Sequence, residues 1–308
     1  MKYFDLHCDT ASECYKKGRG LFSNGLHVSL DKTEKYDRWA QVFAVWIDDD
    51  LRGEAAFRHF QAVSADFQKR LAAEAGRAPV FCRSGRELKS ADAAGRNMAL
   101  LSIENAAALG GSLSHLTEAR EAGVRIMTLT WNGPNELGDG CMNPAAGGLS
   151  PFGKETVSEM GKLGVVADVS HLSEKGFWDV ARLVKGPFIA THSDSKAVED
   201  HPRNLTDSQF REIAQRGGLV GLNLYAPFIG GNGSIDGILR HAEHFLSLGG
   251  EKAVAIGADF DGCELRAEIR GTGDMEQLYR AMCKRFGKEI ADGIFFENAF
   301  RFFTENLA

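Results

Sequence analysis

The chain has 308 residues, of which 44% are hydrophobic and 25% are charged, and its formal net charge is −6. This length can bury a large core, and the composition is that of a folded globular protein and not of a disordered one. The negative charge, without any block of Lys and Arg, argues against nucleic acid as the main partner. Six scattered cysteines show no paired spacing of a zinc or redox motif, which favours reduced thiols in a cytoplasmic protein.

The start of the sequence shows no targeting signal. Met1 and Lys2 lead almost directly into an apolar segment, without a basic region followed by a long apolar run, so we expect no signal peptide. No stretch approaches the ~20 apolar residues that a membrane span needs. We therefore expect a cytoplasmic protein without a membrane anchor.

The first predicted strand begins at Phe4, where apolar and polar residues alternate. Residues two apart in a strand point to the same face, so His7 and Asp9 project together. An imidazole beside a carboxylate at a strand end forms half of a coordination shell for a divalent metal such as Zn²⁺. Taken alone, the pair is better explained as a simple hydrogen-bonded His–Asp contact.

Further apolar runs predict seven more strands, most of them followed by an amphipathic helix. The strands are predicted at residues 41–47, 98–103, 124–129, 165–169, 187–190, 219–224 and 254–257. Helix starts are indicated by Ser150-Pro151, a capping hydroxyl before proline, and by the capping-box spacing of Thr206 and Gln209. Two long polar segments, 14–38 and 133–148, are predicted to be loops.

This alternation of strands and helices indicates an α/β fold with a parallel sheet and right-handed crossovers. Eight such units close most economically into a TIM-like (β/α)₈ barrel, which we expect to form a single domain over residues 1–308. An open doubly wound sheet is the alternative. It is disfavoured because no Gly-rich phosphate loop follows the first strand.

Polar residues that could bind metal stand where apolar runs end, and barrel active sites form at these strand ends. These residues are His7, Asp9, Glu104, His171, His192 and Asp259. Three histidines with several carboxylates can hold two divalent metals ~3.5–4 Å apart, and Glu104 is placed to bridge them. The ligand set suits Zn²⁺ without excluding Mn²⁺ or Fe²⁺. Asp259 could accept a proton from an activated water, with Asp261 as a supporting residue or loop cap.

The sequence closely resembles the membrane dipeptidase (renal dipeptidase) family of zinc metallopeptidases, which have amidohydrolase-like barrels. The likeness runs nearly end to end. It is carried by the segments 4–9 (FDLHCD), 103–104 (IE), 149–153 (LSPFG), 167–171 (ADVSH), 190–193 (ATHS), 201–207 (HPRNLTD) and 257–262 (GADFDG). The resemblance implies a zinc-dependent dipeptidase, forming a homodimer, whose substrate is a dipeptide.

The resemblance also implies a role for each residue of the site. His7 and Asp9 would bind one zinc ion, His171 and His192 the other, and Glu104 both.

Three further residues would act on the substrate. Asp259 would handle the proton, and Arg203 would hold the C-terminal carboxylate of the dipeptide, unless it is a loop arginine that bridges surface carbonyl groups. The family commonly has a histidine that assists the developing oxyanion after the fourth strand, where this chain has Trp131. Trp131 could donate a hydrogen bond there or simply pack the wall of the cleft.

Two alternatives to a dipeptidase stay open at this point. A related binuclear hydrolase, such as an N-acyl-amino-acid deacylase or a lactonase, could use the same centre. A metal- or peptide-binding protein without turnover is the other alternative, and Asp259 argues against it because a purely structural metal site needs no free carboxylate.

Overall fold

The computed structural model describes residues 1–74, 76–265 and 268–307. Within these ranges the strands are β1 Lys2–Cys8, β2 Arg38–Trp46, β3 Val80–Phe81, β4 Met98–Glu104, β5 Val124–Thr128, β6 Val166–Asp168, β7 Val220–Leu222 and β8 Val254–Ile256. The α-helices are α1 Thr10–Lys17, α2 Gly53–Ala73, α3 Gly85–Ala93, α4 Leu113–Glu121, α5 Pro151–Leu163, α6 Glu174–Leu183, α7 Asp207–Gln215, α8 Ala226–Ile229, α9 Ile235–Ser247, α10 Met275–Phe286, α11 Lys288–Asp292 and α12 Asn298–Asn306. Three 3₁₀ turns, Leu30–Thr33, Ala106–Leu109 and Thr272–Asp274, and one π-helical turn, Gly293–Glu297, complete the elements.

The strands form one parallel sheet in the order β6-β5-β4-β2-β1-β8-β7, with β3 beside the start of β4. The chain is therefore an α/β protein in which helices connect parallel strands, as predicted. Two parallel bridges, Asp168 to Ile189 and Ala190 to Val220, lie between the terminal strands β6 and β7. The strand predicted at 187–190 consists only of these bridges, since the run is short and Pro187 has no N–H to donate.

Two groups of buried apolar side chains hold the sheet. The larger group includes aromatic residues of β2 and α2, such as Trp39, Phe43 and Phe67. The smaller group draws residues from around the whole sheet and from α12, including Phe4, Leu6, Val42, Leu100, Ile126, Val166, Ile189, Leu219, Ala255 and Phe302. Strands buried in this way on both faces explain the nearly continuous apolar runs in the sequence.

The helix starts follow the sequence signals. Ser150 accepts a hydrogen bond from the Gly153 N–H at the start of α5, and Thr206 and Gln209 form a complete capping box at α7. Helices α1 and α3 were not predicted. Because α1 extends to Lys17, the segment 14–38 begins inside a helix and is a loop only in part. None of the described helices combines the length and the apolar character needed to cross a membrane.

Candidate metal centre

The six residues predicted at strand ends lie close together in the structure. His7 is in β1 and Asp9 follows it, while Glu104 is the last residue of β4. His171 follows β6 by three residues, and His192 lies two residues after Ala190, which forms a bridge to Val220. Apart from Asp259, which follows β8 and is partly exposed, these side chains are buried. Their grouping follows from the parallel sheet, which brings the carboxyl ends of its strands to one edge.

Glu104 lies between the other ligand candidates. One of its oxygens, Oε1, is 3.0 Å from His171 Nε2 and 3.5 Å from His192 Nε2. The second oxygen, Oε2, is 3.5 Å from His7 Nε2. Each oxygen of this carboxylate thus faces a different part of the histidine cluster.

The protonation state of His171 is compatible with a cation at this position. Burial, together with the charge of Arg203, lowers the pKa of His171 to about 4, so its imidazole is neutral. Its Nδ1 lies 3.0 Å from Asn132 Oδ1, an acceptor, and therefore carries the proton. The lone pair of Nε2 then faces Glu104 Oε1 at 3.0 Å and His192 Nε2 at 2.9 Å. These contacts between electron-rich atoms become favourable when a divalent cation lies between them.

The His7 side of the cluster also fits a cation. His7 Nε2 lies 3.4 Å from Asp9 Oδ2 and 3.9 Å from Asp259 Oδ1. Neither His7 Nε2 nor Asp9 Oδ1 has a hydrogen-bond partner among the described residues, although both atoms are buried. Burial and the neighbouring Glu104 raise the pKa of Asp9 to about 8. Buried carboxylates packed this closely are costly unless a cation compensates their charge, and imidazole with carboxylate is a common ligand set for Zn²⁺.

Backbone strain is concentrated at this centre. Four of the five non-glycine residues with positive φ in the described chain are Asn105, His171, Asp259 and Asp261, with φ between 61° and 73°. Such conformations are uncommon for side chains other than glycine and often occur at functional sites. The next residue must be Gly262, because a Cβ there would lie 2.1 Å from Asp9 Oδ2.

The two aspartates after β8 have different surroundings. Asp259 Oδ2 accepts a hydrogen bond of 3.1 Å from Asn223 Nδ2, while Oδ1 faces the cluster. Asp261 accepts hydrogen bonds from Thr10 Oγ1 at 2.6 Å and from the His27 N–H at 2.7 Å. Asp261 is therefore a loop cap that ties the segment after α1 to the site.

A cleft of about 620 Å³ opens over the cluster, a size typical of small-molecule sites. Asp9, Glu104 and Asp259 line its polar part. Aromatic side chains also line the cleft, namely Trp46, Trp131, Tyr225 and Phe228. The Trp131 ring meets that of Trp46 edge-on, with centroids 5.2 Å apart, and lies 6.3 Å from the His171 ring. Trp131 is thus part of the cleft wall next to a ligand candidate.

Arg203 is buried beside the cluster. Its Nη2 donates to the His192 carbonyl oxygen at 3.1 Å, and Nη1 donates to Ser193 Oγ at 3.4 Å. The guanidinium lies over the Phe228 ring, 5.1 Å from its centroid, and Nε has no hydrogen-bond partner among the described residues. Arg203 also lines a smaller cavity of about 170 Å³ that reaches His171.

The family model of membrane dipeptidases (Peptidase family M19) matches residues 1–308. The chain belongs to the membrane dipeptidase family. Among its relatives, an uncharacterized protein of Klebsiella pneumoniae is 33% identical over 212 residues, which cover 65% of this chain and 78% of the relative. A protein named as a dipeptidase in Schizosaccharomyces pombe is 28% identical over 283 residues, covering 85% of this chain and 67% of the relative.

Solved structures of metallopeptidases share the fold of this chain. One is a dipeptidase of family M19, with a TM-score of 0.92 and 28% identity, covering 100% of this chain and 98% of the other. Another, from Rhodobacter sphaeroides, carries a phosphinate mimic of the dipeptide L-Ala-D-Ala; its TM-score is 0.92 and its identity 27%, covering 100% of this chain and 99% of the other. The predicted family is thereby confirmed, and with it the class of metallo-dipeptidases.

Sequence reasoning gave no role to several polar residues that surround the candidate metal centre. Asn132 contacts His171, and Asn223 contacts Asp259. Asp168 lies inside the apolar run 165–169, and a buried carboxylate in such a run needs hydrogen-bond donors, which is the one signal that the sequence offered. The asparagines follow strands, but nothing in their local sequence indicates a partner far along the chain.

Proposed function

We propose that this protein hydrolyses the peptide bond of dipeptides with two divalent metal ions, preferably Zn²⁺. His7 and Asp9 would hold one ion, His171 and His192 the other, and Glu104 both. The observation that carries this proposal is the position of Glu104, whose two oxygens face the two halves of the cluster at 3.0–3.5 Å. When bound, the metals make a water molecule more acidic and polarise the substrate carbonyl group.

We also propose that the sheet closes into a TIM-like (β/α)₈ barrel that forms a single domain, with the metal site at the carboxyl ends of its strands. The bridges of Ile189 and Ala190 to β6 and β7 support closure, since they connect the two ends of the sheet. The smaller apolar cluster supports it too, because it combines side chains from around the sheet. The homodimer and the cytoplasmic location stay predictions.

Asp259 would accept the proton from the attacking water and deliver it to the leaving amine. Its Oδ2 is held by Asn223, which leaves Oδ1 directed toward the cluster. Burial raises the pKa of Asp259 to about 6, which brings it nearer to neutral pH than an ordinary aspartate. A carboxylate held in this way can exchange a proton without moving.

Arg203 would bind the free C-terminal carboxylate of the dipeptide. A guanidinium matches a carboxylate with two parallel hydrogen bonds, and these are stronger when both partners are charged. Arg203 Nε has no hydrogen-bond partner in the described part of the chain, and a cavity extends from Arg203 to His171; both support this assignment. Such a clamp would orient the scissile bond over the cluster and would select substrates with a free carboxylate close to that bond. The dipeptide mimic in the Rhodobacter sphaeroides structure is a ligand of this chemical class.

Metal analysis combined with kinetics tests the proposal. Protein purified without chelator should contain close to two metal equivalents per chain. Chelator should abolish dipeptide hydrolysis, and Zn²⁺ should restore it. Reproducible occupancy of one or none in active protein would exclude the bridged pair. Activity on N-acyl amino acids or lactones in place of dipeptides would favour the other hydrolase hypotheses, and metal binding without any turnover would favour a binding protein.

A further inference from the structure

Asp168 is a fully buried carboxylate with no direct contact to the cleft. It is the last residue of β6, and both of its oxygens are saturated with donors. Oδ1 accepts from the Ser170 N–H and the Thr191 N–H, both at 2.9 Å. Oδ2 accepts from the hydroxyl groups of Thr128 at 2.5 Å and Thr191 at 2.6 Å. Four donated hydrogen bonds keep this carboxylate fixed.

The Thr191 hydroxyl connects this carboxylate to His192. Its oxygen lies 2.6 Å from Asp168 Oδ2 and 2.8 Å from His192 Nδ1. A hydroxyl has one proton, and the Thr191 hydroxyl donates it to Asp168 Oδ2. Thr191 Oγ1 must then accept from His192, which places the imidazole proton on Nδ1.

The position of this proton determines whether His192 Nε2 directs a lone pair or a proton toward the cluster. With Nδ1 protonated, Nε2 carries the lone pair, and it faces Glu104 Oε1 at 3.5 Å and His171 Nε2 at 2.9 Å. A neutral imidazole in this form is a metal ligand, whereas the other tautomer would point a proton at the metal position.

The same carboxylate also supports His171. Asp168 accepts a hydrogen bond from the N–H of Ser170, and Ser170 directly precedes His171, whose φ is +66°. A fixed hydrogen bond next to a residue in this uncommon conformation helps to hold it there. Asp168 therefore contacts the backbone before one histidine and, through Thr191, the ring of the other.

We propose that Asp168 and Thr191 are positioning residues: Asp168, acting through the Thr191 hydroxyl, fixes His192 as the Nδ1-protonated tautomer and thereby sets the affinity of the second metal. This inference rests on the proposed metal centre. Removal of partners that orient metal ligands typically weakens metal binding by ~10–100-fold.

Thr128 provides a matched control, because its hydroxyl donates to the same oxygen of Asp168 but does not touch His192. Thr191→Val removes the link to the histidine, Thr128→Val removes an equivalent hydroxyl without that link, and Thr191→Ser retains it. In chelator competition with Zn²⁺, Thr191→Val should weaken the second equivalent by ~10–100-fold. The affinities of Thr128→Val and Thr191→Ser should stay close to that of the wild type.

A second measurement uses metal-free protein and is independent of the metal affinities. The ¹⁵N chemical shifts of the His192 ring should show a protonated Nδ1 in the wild type and in Thr128→Val. In Thr191→Val this preference should be lost. A proton on Nε2 in the metal-free wild type would overturn the proposal even if every variant failed to fold.

Equal loss of metal affinity in Thr191→Val and Thr128→Val would also overturn it, because Thr191 would then only support Asp168. If the wild type takes up no second metal equivalent, the proposed metal centre fails. The ¹⁵N shifts of the metal-free protein still decide the tautomer in that case, so the two failures can be told apart.

Discussion

The substitution Asp259→Asn isolates proton transfer from the shape of the site. In the structure Asn223 Nδ2 donates to Asp259 Oδ2 at 3.1 Å. An asparagine can present its own oxygen to this donor, so the variant keeps the contact. Its amide NH₂ then takes the place of Oδ1, which lies 3.9 Å from His7 Nε2. The variant thus replaces a proton acceptor by a donor at the one atom that faces the cluster.

The expected loss can be worked out from this change. General acid–base catalysis contributes roughly 10²–10⁴ in rate, which is about 2.7–5.4 kcal/mol of activation free energy at 1.36 kcal/mol per tenfold. Since the contact to Asn223 survives, we expect kcat to fall by this factor with little change in KM. The control Asn223→Ala retains the carboxylate and removes one hydrogen bond, so its loss in kcat should be much smaller.

The structure also offers a competing role for Asp259. Ligand atoms of His7, Asp9 and Asp259 lie within 4.8 Å of one another, so this carboxylate could bind metal directly. Steady-state kinetics and elemental analysis on the same preparation separate the two roles. Loss of one metal equivalent in Asp259→Asn would make Asp259 a ligand, and an unchanged kcat would remove it from proton transfer.

Three further predictions concern substrate binding and stability. If Arg203 clamps a carboxylate, C-terminal amides should lose roughly 1.5–3 kcal/mol for each charged hydrogen bond lost, or ~10–150-fold in kcat/KM. Equal kcat/KM values for a dipeptide and its amide would favour the deacylase hypothesis. Trp131→Phe retains most of the aromatic wall but removes the indole N–H, so kcat should fall by up to ~10² if that group assists the oxyanion. An altered KM with preserved kcat would instead indicate a packing role for Trp131. Burial lowers the pKa of His241 to about 4, whereas a histidine in the unfolded chain has a pKa of about 6.5. The unfolded chain therefore binds a proton that the folded chain does not bind between these two pH values. The free energy of unfolding should decrease as the pH falls from about 6.5 toward 4, by at most about 1.4 kcal/mol per pH unit. Urea unfolding with chelator present should show this loss of stability in the wild type and a smaller loss in His241→Gln. If the free energy of unfolding changes with pH in the same way in both proteins, the prediction is wrong.

Much of the fold and the list of candidate ligands could be predicted because both depend on local sequence patterns. The apolar run of β4 ends at Glu104, and the segment before His7 alternates, so each residue is placed at a strand end without knowledge of the rest. Helix α1 was missed because this kind of prediction needs a clear local pattern, which its sequence lacks. Its apolar signal is weak, and few of its side chains are buried.

The partners of the ligands could not be predicted because they come from distant parts of the chain. Asn132, which contacts His171, is 39 residues from it, and Asn223 is 36 residues from Asp259. No local pattern encodes such a pairing, since the register between strands is set by packing.

The sequence by itself determined which residues end the strands and, through the family resemblance, the class of enzyme. Tertiary structure decided how these residues meet: which oxygen of Glu104 faces which histidine, and that Asp261 caps a loop. It also decided that Asp168 reaches His192 through Thr191. The physical reason is that strand periodicity is a property of neighbouring residues, whereas hydrogen-bond partners and proton positions depend on side chains that only the folded sheet brings together.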